Sequence, residues 1–261
     1  MYRISNSIIM RGVVAALFLV TAASASVIGN LVIGTDGNIT VTLTSATFGP
    51  DPTSVPPGFQ AAVAMGTNLT FTGGPLAVGE GVGIASPLTA ASVPENDFLS
   101  FAAHPNLIYS LATLGPGSAN TNCAAVTMVG QSCSVFAGSP IVLTWQSATS
   151  SSASFAVTGK ASDTGLGGVA TGSNYSGLFS EPLVNLLPNG MLPTPANIQA
   201  YFCPSGTCTA ADFASGRSVS SAFAGNFFAT TVPEPETTAL VLGGLLVLLG
   251  KVGMRRLNRS R

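Results

Sequence analysis

Asn38-Ile39-Thr40-Val41-Thr42-Leu43-Thr44 alternates apolar and polar residues without a break. Successive side chains of a strand point to opposite faces, so Ile39, Val41 and Leu43 share one face and the threonines line the other. Just upstream, Asp36-Gly37 suits the positive φ angles of a tight hairpin turn, which is expected to join Leu31-Val32-Ile33 to this strand. Further strands are predicted at Asn68 to Thr72, Asp97 to Ala102, Ala124 to Val129, Ile141 to Gln146, Ala153 to Thr158 and Ser218 to Ala229. Pro50 to Pro57 and Ser147 to Ser154 read as loops, and Gly79 to Gly83 and Gly165 to Gly168 as glycine-rich turns. Two short helices are predicted, one opened by Ser180-Glu181-Pro182 and running through Leu187, the other opened by Thr194-Pro195 and running through Phe202. Each has a hydroxyl cap before a proline that a first helical turn accepts. The sum is a mainly β domain, an antiparallel sandwich with one or two short helices and no internal repeat.

What must cover such a domain is set by charge. Only 7% of the 261 residues are charged, against about a quarter in an ordinary soluble domain. Seven of the nine bases lie near the ends: Arg3, Arg11, Lys251, Arg255, Arg256, Arg259 and Arg261. From Ser26 to Val232 the bases are Lys160 and Arg217, against the acids Asp36, Asp51, Glu80, Glu95, Asp97, Asp163, Glu181 and Asp212, an excess of six negative charges. Neutralising phosphates requires clustered Lys and Arg, so nucleic acid is not an expected partner.

Both ends read as export machinery. Arg3 and Arg11 precede an apolar run from Gly12 to Val20 and then the small residues Thr21 to Ser26. That is the three-part order of a secretory signal peptide over residues 1–25. Ala23 and Ala25 stand where signal peptidase needs small side chains. At the other end Pro233-Glu234-Pro235 precedes an apolar segment from Ala239 to Gly250, then Lys251 and the basic tail beginning Arg255-Arg256. Thr237 to Met254 reaches about 27 Å as a helix, a thin single span if Lys251 extends its amine to the interface. The positive-inside tendency keeps Arg255 onward cytoplasmic and residues 26–232 outside. The two prolines fix their own backbone and extend the residue before each, displaying Glu234 on a stiff segment beside the membrane.

This order of Pro-Glu-Pro, apolar span and arginine cluster over residues 233–261 resembles the PEP-CTERM sorting signal of Gram-negative bacteria. Pro233, Glu234 and Pro235 match the motif, Ala239 to Gly250 the span, and Arg255 and Arg256 the cluster; Lys251, which shortens the uncharged span, departs from it. The resemblance implies transient inner-membrane anchoring, recognition and cleavage by exosortase, an integral-membrane cysteine enzyme, and delivery to the cell surface or extracellular matrix.

Cys123, Cys133, Cys203 and Cys208 form two close pairs in a chain expected to be exported, where oxidation is favoured. Four cysteines allow three pairings. Cys123 with Cys133 and Cys203 with Cys208 is chosen because both are local and Pro204 to Thr207 supplies turn residues. The spacings are not those of Cys-x-x-Cys zinc knuckles, and no histidine neighbours them, so neither metal nor cofactor is expected.

The leading functional expectation is a non-enzymatic surface or matrix protein. One alternative is a carbohydrate-binding module that stacks sugar rings of an exopolysaccharide on Trp145, Tyr109, Tyr175 or Tyr201. Another is an exported hydrolase, built either on His104 with Asp97 or another acid as its orienter, or on a carboxylate pair drawn from Glu80, Glu95, Asp97 and Glu181.

Overall fold

A computed structural model describes residues 27–89, 92–164 and 172–230. The expected signal peptide, the expected sorting segment and Gly165 to Gly168 lie outside the described residues. The strands are β1 (Gly29–Val41), β2 (Ser45–Phe48), β3 (Ala61–Val63), β4 (Gly81–Ile84), β5 (Leu88–Thr89), β6 (Glu95–Phe101), β7 (Leu107–Leu114), β8 (Ser132–Cys133), β9 (Val142–Ser147), β10 (Ser150–Asp163), β11 (Ser173–Leu183) and β12 (Val219–Thr230). Two helices, α1 (Pro195–Phe202) and α2 (Ala210–Ala214), lie between β11 and β12.

The domain is mainly β and antiparallel, as expected, but the sandwich is replaced by a closed barrel. Eight strands follow one another in the order β11, β12, β1, β3, β4, β6, β7, β10. β10 then pairs with β11 from Ser151–Leu183 to Ala161–Ser173 and closes the ring. Pairing of β10 on both sides, with β7 and with β11, leaves no free edge in the ring.

Within the ring, inward positions carry most of the large apolar side chains, and outward ones are mostly Ser, Thr, Ala and Asn. β12 buries Phe223, Phe227 and Ala229 on one side and exposes Phe228 with the polar residues on the other. The interior is a packed aromatic cluster. Phe179 stacks on Phe155 at 4.9 Å between centroids and meets Phe227 edge-on at 5.2 Å, and Tyr109 lies 5.0 Å from Tyr175. A Cβ at Gly177 would enter the Phe227 ring, and one at Gly225 would come within 2.8 Å of both Phe227 and Ile33. These glycines make room for the ring at the centre.

The ring forks at two strands. The N-terminal half of β1 pairs with β3 at Ile33 and Gly34, whereas its C-terminal half pairs with β2 from Ile39 to Val41. Between the halves the register against β12 shifts from Gly34 to Asn38. This corrects the expected hairpin at Asp36-Gly37, which is an irregularity within one continuous strand. β10 forks likewise, pairing with β7 from Val157 onward and with β9 from Ser150 to Ser154. Gly115 donates its last N–H to Ala156 at 2.6 Å, and Pro116, which has no N–H, follows as the chain leaves the sheet. Two arms, β2–β5 and β9–β8, therefore splay apart at one end of the barrel.

The second arm carries a cap. The disulfides Cys123–Cys133 and Cys203–Cys208 form as expected, with Cα separations of 5.3 and 4.7 Å. Gln199 of α1 is buried, accepts from Cys123 N–H at 3.0 Å and donates to Thr121 O and Val135 O at 2.8 and 2.9 Å. One amide thus pins the helix to the disulfide loop. α1 starts where predicted, with the Thr194 hydroxyl accepting from Asn197 N–H. α2 was not predicted and opens on a capping box, Thr209 with Asp212. Asp212 accepts from Thr209 N–H and hydroxyl and from Arg217, which holds its carboxyl below the usual range.

Other local expectations are corrected. Ala124 to Val129 is a 3-10 turn and loop rather than a strand, and Asn68 to Thr72 contributes one bridge, Ile28–Thr70. The helix expected from Ser180 is instead the end of β11, Ser150 to Ser154 belongs to β10, and Gly81-Val82-Gly83 belongs to β4.

Candidate functional site

A cleft of about 540 Å³ lies between the splayed arms, within the range of small-molecule sites. Leu43, Ala46 and Leu88 face it from the first arm, Ile141 from the start of the second, and Phe155 of β10 and Leu114 at the end of β7 from the barrel. Phe136 and Phe213 of the cap meet edge-on at 5.1 Å and close its side. Thr42, Thr44, Ser45 and Thr89 supply its hydroxyls, and among the described residues none that lines it is charged.

A second, smaller cavity of about 20 Å³ shares Thr42, Leu43, Phe136 and Ile141 with the cleft. Among the described residues its one ionisable lining group is Glu181. The geometry follows from register: Phe155 pairs with Phe179, and one inward rung further Ala153 pairs with Glu181. Alternation on β11 therefore aims Glu181 inward beside Phe179 and Leu183. Its side chain is buried, 3% exposed, and Oε1 has no hydrogen-bond partner. Desolvation pushes its carboxyl up to about 8. Ser151 Oγ, on the next inward rung of β10, is also buried without a partner.

The remaining sequence-predicted site residues fall elsewhere. His104 Nδ1 lies 2.9 Å from Glu80 Oε1 and 3.2 Å from Oε2, so its carboxylate partner is Glu80 and not Asp97. Glu80 also accepts from Ala103 N–H at 3.0 Å, and Phe71 packs edge-on against the imidazole at 5.2 Å. These contacts tie together the loops at the end of the barrel opposite the cleft. Glu95 and Asp97 stand at the start of β6, half-buried and exposed. Glu80 and Glu181 thus have separate surroundings, His104 for one and the small cavity for the other.

The aromatic residues expected to stack on sugars do not form a platform. Tyr109 and Tyr175 are inside the barrel, and burial raises both phenols above their ordinary range, Tyr175 adding to the effect on Tyr109. Tyr201 is half-buried and donates to Ser218 O at 3.2 Å, and Trp145 is half-buried on β9. Among the described residues no three His, Cys, Asp or Glu side chains gather as a metal site. No described helix is long and apolar enough to cross a membrane; the span expected at 237–254 lies outside the described residues.

The cleft itself was missed in the sequence. Leu43, Phe136, Phe155 and Phe213 look like core residues singly, and only the forked pairing brings them together. Comparison with family models, with curated proteins and with solved structures finds no match.

Proposed function

We propose that the chain is an exported, non-catalytic cell-surface or extracellular-matrix protein, delivered by its C-terminal PEP-CTERM signal and cleaved there by exosortase. The observation that carries this reading is the pair of local disulfides in a mainly β domain, a combination suited to an oxidising compartment. The topology is compatible with it. Gly29 pairs with Ala229, while Val41 pairs with Val219 beside the small cavity that adjoins the cleft. Attachment through residues beyond Thr230 therefore leaves the cleft at the far end of the barrel.

The test compares intact mass and cell fraction of the native protein with a Pro233→Ala, Glu234→Ala, Pro235→Ala variant. The native form is expected to lack both residues 1–25 and the C-terminal tail and to leave the membrane, with the variant keeping its tail. Retention of the tail by both forms in the membrane would reduce residues 233–261 to an ordinary anchor.

A further inference from the structure

The cleft and the small cavity share a wall of four residues, and they differ in chemistry. The larger space is lined by Leu, Ile and Phe side chains with hydroxyls from Thr and Ser, and offers a charged ligand no counter-charge. The smaller space is about 20 Å³, room for a single oxygen-sized group. A buried carboxyl with an unpartnered oxygen borders it.

We propose that this end of the barrel binds an uncharged, mainly apolar small molecule bearing one carbonyl or similar acceptor oxygen, its body in the cleft and its oxygen hydrogen-bonded to the Glu181 carboxyl. The protonated carboxyl has an O–H to donate, and burying it without a partner costs free energy that such a ligand recovers. Burial keeps the acid protonated at neutral pH. A charged amine is disfavoured, because entering an uncharged apolar cleft strips its hydration before it reaches the acid.

Among the described residues, no other ionisable side chain lines the cavity that Glu181 borders. The remaining residues around its cavity, from β1, β9, β10, β11, α1, β12 and the segment before β9, are apolar or are the hydroxyl residues Thr42 and Ser139. The charged residues next to α1, Asp212 and Arg217, pair with each other at 3.3 Å. The inference uses only the barrel and stands whether or not the sorting reading does.

The experiment uses two fluorescent probes on the purified protein: Prodan, an uncharged naphthalene ketone, and dimethylaminonaphthalene, the same ring system without the ketone. Wild type is expected to bind both, with Prodan emission blue-shifted from that in water but to the red of that in Glu181→Leu, as a hydrogen-bonded carbonyl requires. Glu181→Leu is expected to weaken Prodan on the order of tenfold and leave the ketone-free probe unchanged. Leu43→Trp, which fills the shared wall, is expected to abolish both. Should Glu181→Leu fail to fold, pH decides: Prodan affinity falls above about pH 8 in wild type, where Glu181 ionises, and stays level in Glu181→Gln, which keeps a donor. Equal Prodan affinity in wild type and Glu181→Leu, binding that ignores Leu43→Trp, absence of binding by wild type, or identical pH profiles in wild type and Glu181→Gln would each overturn the proposal.

Discussion

Glu181 makes a stability prediction that needs no ligand. Its carboxyl is displaced from 4.5 to about 8 by burial. At about 1.4 kcal/mol for each pH unit this is a linkage of about 5 kcal/mol. The sign follows from proton counts. Below about pH 4.5 folded and unfolded chains both hold the proton, and Glu181 imposes no pH dependence. Between about pH 4.5 and 8 the unfolded chain releases the proton while the folded one keeps it, so unfolding becomes easier as pH rises. Above about pH 8 both forms are ionised and the slope levels off. Glu181→Gln keeps the shape and cannot titrate. Urea unfolding of wild type and Glu181→Gln from about pH 5 to pH 9 measures this linkage directly, because the other titrating groups are common to both. The variant is expected to gain on wild type by about 1 kcal/mol for each pH unit, reaching several kcal/mol at the alkaline end. A difference between the two that stays constant within about 1 kcal/mol across the range would refute the reasoning, and with it the claim that the acid is held protonated in an apolar setting.

Tyr109→Phe removes a buried hydroxyl without a hydrogen-bond partner and leaves the ring contacts, so it is expected to raise unfolding free energy by about 1 kcal/mol, read from urea midpoints. Removing the Cys123–Cys133 bridge by double alanine substitution is expected to cost about 3 kcal/mol, and removing Cys203–Cys208, which closes a loop half as long, about 2 kcal/mol. The same urea assay ranks the two.

How far the fold was legible depended on whether the two-residue period stayed intact. β12 was read almost to its ends because Val219, Phe223, Phe227 and Ala229 hold the inward positions. β7, absent from the predicted strands, carries as clear an alternation in Leu107, Tyr109 and Leu111. β11 was masked for a physical reason. Its inward positions include Gly177, emptied to admit Phe227, and Glu181, so the apolar repeat is broken twice. Ser180-Glu181-Pro182 then imitates a helix start. Pro182 is tolerated in the strand because it lies beyond the last pair with β12, Ser180–Ala224. The disulfides were legible because their loops are short. The change from sandwich to barrel was not, since closure depends on which strands pair across distances in sequence that local patterns do not encode.

Asp36-Gly37 and Gly115-Pro116 are the two places where local chemistry fixes the site. Asp36-Gly37 reads as a chain reversal, Gly115-Pro116 ends the pairing of β7 with β10, and each occurs where one strand changes its neighbour. The irregularity in β1 frees its C-terminal half to take β2, and the exit at Gly115 frees the N-terminal half of β10 to take β9. If β3 and β7 continued alongside β1 and β10 to their ends, the barrel would close tightly and its last inward rungs would fill with side chains. The fork instead leaves Phe155 at the floor of an open cleft and Glu181 one rung beyond it, beside the smaller space. An apolar residue at that inward position would have suited the β pattern and avoided the cost of a buried acid. The residue that hid β11 from the sequence reading is therefore the one around which the binding site is organised.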